Sequence, residues 1–246
     1  MVGCENSGDV LGESKENSSA DQNNNRIYAG GIVGRNYTEA EYHTFIEDAY
    51  NSGNVTVKNT VSVYAGGIVG DNNSFHENSW DAIILNCEND GDITQIGGSG
   101  TRFGGIAGLT NSKIYNSRNN GDVTGVASDS YVGGIAGEMD TGSEAINCYS
   151  IGAVQNTSNA SRAHLLTPLN QGNGVSHCYA LNTAESGFTG NKFISCDTFA
   201  TEQKVTYNGG TEDISLLEAL NKKAAEYTAD VNEWRSWKII SGENDG

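Results

Sequence analysis

An all-β fold built from short parallel strands is what the sequence predicts, on three observations. The chain of 246 residues holds 32 glycines and one proline, against usual shares of roughly 7% and 5%. The motif Gly30-Gly31-Ile32-Val33-Gly34 recurs as Gly66-Gly67-Ile68-Val69-Gly70, Gly104-Gly105-Ile106-Ala107-Gly108 and Gly133-Gly134-Ile135-Ala136-Gly137. A second motif precedes each copy, in the form Asn-x-Gly-[Asp/Asn]-[Val/Ile]: Asn6–Val10, Asn51–Val55, Asn89–Ile93 and Asn119–Val123. From Gly53 to Gly66, Gly91 to Gly104 and Gly121 to Gly133 the separations are 13, 13 and 12 positions. Recurrence at a fixed period marks repeat architecture.

Each element follows in order along one repeat. An apolar position (Ile46, Ile84, Ile114, Ala145, Val175) stands three residues before a small one, which is Cys4, Cys87, Cys148 and Cys178 in four repeats and Ala49 or Ser117 in two. One residue before that slot come Asp48, Asn86, Asn116, Asn147 and His177. Val55/Val57 and Val61/Val63 show the period-2 alternation of half-buried strands. The Asn-x-Gly element reads as a corner, since both residues tolerate positive φ. Equivalent residues then stack, so Asn6, Asn51, Asn89 and Asn119 are expected to form an amide ladder beside inward Ile/Val ladders.

Three short strands cannot close a core alone, but stacked copies share one. The expectation is a parallel β-helix over residues 1–200, a right-handed solenoid of about five coils. Proline's scarcity fits, because strand N–H groups pair between coils and proline has none to donate. Pro168 falls where a fifth glycine motif has decayed to Leu165-Leu166-Thr167-Pro168-Leu169. The cysteines share a slot with Ala and Ser, which predicts free buried thiols; Cys148 with Cys178 is the one pair close enough in register to check for a bridge. Residues 201–246 change grammar. Ser215-Leu216-Leu217-Glu218 is a capping box that opens a helix near 215–228. With a strand-like Trp237–Ile240 it predicts a small α/β cap over the last coil.

This repeat resembles the GLUG motif, a short glycine-rich repeat of bacterial surface proteins that include immunoglobulin-A-cleaving metallopeptidases and adhesin-like proteins. The resemblance covers roughly residues 1–200, and the Leu-Asn near 220 with the later Trp is similar to the tail of gut-bacterial members. It implies an exported, cell-surface parent protein, and a chain that is part of a longer one.

Chemistry is sparse. A net charge of −17, from 14 Lys+Arg against 31 Asp+Glu, with no basic cluster in sequence, predicts neither a nucleic-acid partner nor an anionic membrane surface. No apolar run is long enough to span a bilayer. His76-Glu77 lacks the second histidine of a zinc-peptidase helix, and Gly97–Thr101 lacks the Asp of a calcium nonapeptide. The remaining histidines are His43, His164 and His177. No catalytic, cofactor-binding or metal-binding residue is assigned. The expected function is therefore a non-catalytic surface adhesin, stalk or interaction scaffold with an unidentified ligand, a glycan or a host surface protein. Its binding candidates are the aromatic inserts 71–81 (Phe75, His76, Trp80) and 36–45 (Tyr37, Tyr42, His43, Phe45). The alternative is a carbohydrate-active β-helix enzyme with carboxylates on an outer face, for which the row Asp9, Asn54, Asp92, Asp122 is the candidate, also weighed as a calcium bridge between coils.

Overall fold

The computed structural model describes residues 1–13, 26–38, 42–58, 62–74, 81–98, 101–168, 174–181, 194–196, 203–207, 210–214, 216–227 and 234–237. Those residues are nearly all β, in five parallel sheets, with one antiparallel hairpin (Gln203–Tyr207 with Gly210–Ile214) and one short α-helix, α1 (Leu216–Ala224).

The three repeats that begin at Thr44, Ala82 and Lys113 each contribute one strand to every sheet, in chain order, and the flanking repeats contribute to some of them. Sheet I takes Thr44–Glu47, Ala82–Leu85, Lys113–Tyr115, Glu144–Ile146 and Gly174–Ser176. Sheet II takes the two-residue strands Glu5–Asn6, Tyr50–Asn51, Glu88–Asn89, Arg118–Asn119 and Tyr149–Ser150, then Tyr179–Leu181 and Ile194–Cys196. Sheet III takes Val10–Glu13, Val55–Lys58, Ile93–Gln95, Val123–Gly125 and Val154–Asn156. Sheet IV holds Arg26–Gly30, Ser62–Gly66, Thr101–Gly104, Tyr131–Gly133 and Ala163–His164, and sheet V holds Val33–Thr38, Val69–Ser74, Ala107–Thr110 and Ala136–Met139. Register follows the repeat: Ile84 faces Ile46 and Ile114, Asn89 faces Asn51 and Asn119, and Gly104 faces Gly66 and Gly133.

Two apolar columns result. One gathers Ile46, Ile84 and Ile114 of sheet I with Ile68, Ile106, Ile135, Cys87 and Cys148. The other joins Val55, Val57, Ile93 and Val123 of sheet III to Ala65, Phe103 and Val132 of sheet IV. A third column is polar and equally buried. Asn6 Nδ2 donates to Asn51 Oδ1 at 2.8 Å, Asn51 to Asn89 at 2.7 Å and Asn89 to Asn119 at 2.7 Å. Each amide also donates to the carbonyl of the Gly two residues on. The ladder ends at Ser150, whose hydroxyl accepts from Asn119 at 3.3 Å.

The Asn-x-Gly element does stand at the bend between sheets II and III, but without the expected positive φ. The left-handed residues are not those of Asn-x-Gly but the position before the Cys slot: Asp48, Asn86, Asn116, Asn147 and His177, all with φ between 46° and 59°. Asn and Asp visit that region at the least cost among residues with a Cβ. The glycines of Asn-x-Gly serve close approach instead: a Cβ on Gly53 would lie 2.1 Å from the Gly8 carbonyl oxygen, and one on Gly91 2.0 Å from that of Gly53. Likewise the second glycine of the Gly-Gly motif makes room for the amide column. A Cβ on Gly67 would meet Asn89 Cγ at 2.1 Å, and one on Gly105 would meet Asn119 Cγ at 2.2 Å. The two motifs are thus halves of one contact.

The decayed fifth copy still packs. Leu166 accepts from the N–H groups of Ile135 and Ala136, and Leu165 and Leu166 are buried. Leu165 replaces the second glycine in the repeat after which Ala180 replaces the amide, and both belong to the first apolar column. Bulk is tolerated where the amide has gone.

The C-terminal segment does more than close the last repeat. Helix α1 packs Leu216, Ala219 and Leu220 against Tyr149 and Tyr179, while Trp234 packs against Ile83, Leu85 and Ala224. Residues 216–227 and 234–237 therefore lie across the outer face of sheets I and II. Its backbone is held by the left-handed column: Asn147 Nδ2 donates to Leu220 O at 3.1 Å, Asn116 Nδ2 to Arg235 O at 2.9 Å, and Arg235 N–H to Asn86 Oδ1 at 3.1 Å. An Arg235–Asp48 ion pair completes the strap. Residues 234–237 are irregular rather than extended, and 238–240, like Ser215, lie outside the described residues.

Candidate functional site

The acidic row is exposed, yet one oxygen of each side chain is engaged. Asp9 Oδ1 accepts from Asn54 N–H at 2.9 Å, Asn54 Oδ1 from Asp92 N–H at 2.9 Å, Asp92 Oδ1 from Asp122 N–H at 2.9 Å and Asp122 Oδ1 from Ala153 N–H at 2.8 Å. This position needs a short side chain bearing a carbonyl-type acceptor, which is why Asp and Asn interchange there. Among the described residues no three His, Cys, Asp or Glu side chains converge as a metal set. Cys87, Cys148 and Cys178 are buried free thiols, with Cys148 N–H 3.4 Å from Cys178 Sγ rather than a bridge between the sulfurs. Burial pushes the Cys87 thiol up to about 12 and Cys148 well above its ordinary range.

The inserts divide. Phe45 packs beside the Trp234 cluster, and His43 Nδ1 accepts from Asp81 N–H at 3.1 Å. Tyr42 is 74% exposed. Phe75, His76 and Trp80 lie outside the described residues. His164 turns its Nε2 toward Ser161 O at 3.3 Å, and His177 takes the left-handed position before Cys178.

A different surface stands out, on sheets IV and V. Tyr28, Tyr64, Arg102 and Tyr131 are paired in register, and Arg162 stands one residue before the Ala163 that faces Val132. This position precedes the Gly-Gly motif by two residues, so strand alternation turns it opposite to the core residues Ala65, Phe103 and Val132. A second ladder, one residue after the motif, reads Arg35, Asp71, Leu109, Glu138. An Arg102–Glu138 ion pair joins the two ladders, and an Arg35–Asp71 pair at 2.9 Å ties neighbours within the second. The ladders also interlock by stacking: Arg35 lies 4.3 Å from the Tyr37 ring centre and 5.3 Å from that of Tyr28. Tyr131 is sandwiched between Arg102 at 4.6 Å and Arg162 at 4.3 Å, and Arg26 lies 5.6 Å from the Tyr64 centre.

Electrostatically the surface inverts the molecule. The chain has six arginines and a net charge of −17, and four of the six, Arg26, Arg35, Arg102 and Arg162, meet here. Asp71 is 2% exposed; desolvation raises its pKa, and Arg35 opposes that rise. Tyr64 is raised by desolvation too, again against the pull of Arg26 and Arg102. Tyr64 and Tyr28 in turn hold the Arg26 guanidinium charged. Sequence reading missed this face. Its signal was the variable column: the positions where the repeats differ, once aligned, gather the arginines. Compared with known proteins, the chain matches no family model, no curated protein and no solved structure.

Proposed function

We propose that residues 1–200 form a right-handed β-helical solenoid of GLUG-type repeats that acts as a rigid, non-catalytic scaffold or adhesin on a bacterial surface. One observation carries the non-catalytic reading: every side chain of the repeated Asp/Asn row is tied through one oxygen to the next repeat's backbone. A β-helix hydrolase or lyase needs carboxylates that face a bound sugar and are spared from the scaffold. In-register parallel pairing in five sheets supports the solenoid, and such a frame holds outward side chains at fixed spacing for recognition. No helix among the described residues is long and apolar enough to cross a membrane.

The test uses the full chain on glycan and host-protein arrays, together with depolymerisation assays on plant and animal polysaccharides. Binding without cleavage is expected. Release of new reducing ends or unsaturated products by purified protein refutes the non-catalytic reading.

A further inference from the structure

The geometry points to the tyrosine–arginine ladder as a docking face for an extended polysaccharide bearing carboxylate or sulfate groups, laid across successive repeats. This rests on the scaffold reading and names its ligand class. Three observations converge. The first is charge complementarity. Arg26, Arg35, Arg102 and Arg162 share this face with the carboxylates of Asp71 and Glu138, so cations outnumber anions locally on a chain that is strongly acidic overall.

The second is pre-organisation. A guanidinium presents five N–H donors in its own plane, so stacking on a ring occupies its face and leaves its edge for hydrogen bonds. Tyr131 fixes two guanidiniums in this way, and Tyr28 with Tyr37 fixes a third. Ordering costs for long side chains are thereby met before any ligand arrives. The known internal bonds leave donors over: Arg162 gives one N–H to Asp129 O at 2.9 Å, and Arg35 gives its Nε–H to Asp71.

The third is periodicity. The ladder repeats in one direction at about 4.8 Å per strand and spans roughly 19 Å over five positions, so its matching ligand is a polymer that also repeats. Half-buried tyrosines between the arginines suit sugar hydroxyls and C–H faces. Nucleic acid is the poorer match. Its charge density of one phosphate per ~1.7 Å of duplex needs several unpaired cations, and here two of the four arginines already hold carboxylates.

The experiment measures binding of the full chain to polygalacturonate (carboxylate), dextran sulfate (sulfate), unmodified dextran and single-stranded DNA, at low and high salt. Tight, salt-sensitive binding to one or both anionic polysaccharides is expected, and which one binds identifies the anion. Arg26→Gln combined with Arg162→Gln should weaken it by about tenfold or more, the scale of lost charge-assisted hydrogen bonds, with an unchanged thermal melt. Lys58→Gln, on sheet III, should leave it intact. The inference is overturned if neither polyanion binds, if dextran or DNA binds as tightly, or if Lys58→Gln weakens binding equally. Array binding to some other ligand would then leave the scaffold reading standing, whereas cleavage of either polymer would sink that reading instead.

Discussion

At Gly67 a single hydrogen atom decides whether two repeats fit. A Cβ there would lie 2.1 Å from Asn89 Cγ and 2.3 Å from Gly105 O, both fixed parts of the frame. Gly67→Ala should therefore cost more than ~3 kcal/mol, the upper range for overpacking a tight core. Gly174 has nothing within 4 Å of the same hypothetical atom and no positive φ. Gly174→Ala should be neutral or stabilise by about 0.5 kcal/mol through the unfolded chain. Urea denaturation of the two variants checks the contrast, and equal losses would mean that glycine here serves flexibility. The cysteines give a second test. Cys87, Cys148 and Cys178 have no exposed surface, and thiolate is the reactive form. Peptide mapping after alkylation should find them unmodified in native protein and fully labelled in denaturant. Sequence reading recovered the amide column and the free thiols from slot-sharing among Asn, Ser, Cys and Ala. It placed the positive φ at the wrong corner because Asn and Gly each have two uses, positive φ and small size, and composition cannot tell them apart.

At the scale of elements, the left-handed column does two jobs. Its backbone turns the chain from sheet I to sheet II, and its side chains, left pointing outward, hold the strap formed by residues 216–227 and 234–237. Asn116 Nδ2 reaches both Asn86 Oδ1 at 2.7 Å and Arg235 O at 2.9 Å. The helix itself was legible from its apolar face, Leu216, Leu220 and Ala224, and its observed span with the following 3-10 turn ends at Tyr227. Where it docks was not legible, because the partners Tyr149, Tyr179 and Leu85 come from three repeats and join only after stacking. His177 closes the column beneath this helix. Burial lowers its pKa below 6.5, as does Lys223, while Glu226 acts in the opposite direction. Between the lowered folded value and 6.5 the unfolded chain binds the extra proton, so stability is fully present above 6.5 and is lost as pH falls through that window. Tryptophan-fluorescence melts should show His177→Asn, which supplies the residue usual in this column, losing less stability than the parent between about pH 7.5 and about pH 5.5. Parallel pH profiles for the two proteins would remove His177 as the cause.

The whole molecule joins two kinds of order, and a deletion separates them. Within the sheets each repeat pairs only with its neighbours, and stability in such arrays is close to a sum of nearest-neighbour terms. The strap, by contrast, measures the stack: Leu220 sits at Asn147, Arg235 at Asn116 and Asn86, and its guanidinium at Asp48. Removing residues 117–147 joins Asn116 to Cys148 and takes one strand from each of the five sheets. Asn89 then faces Ser150, a contact that Asn119 already makes, and Ile114 faces Val175, an apolar pair in the same column. The sheets should therefore re-form, with a cooperative melt and β-type circular dichroism per residue close to the parent's. The strap, still tethered near Tyr179, should slide one repeat. Leu220 then meets Asn116, and Arg235 meets Asn86 and Asp48 through its backbone. Its side chain arrives at Gly3, which holds the next left-handed place in the column with φ 65° and no carboxylate. The ion pair is lost, so Arg235→Gln should lower the melting temperature of the parent but leave the shortened chain unchanged. Removing 117–130 instead leaves sheets I, IV and V with intact strands but cuts sheets II and III, and it should abolish the cooperative transition. If the half-repeat deletion melts as cooperatively as the whole-repeat one, register between repeats does not govern this fold.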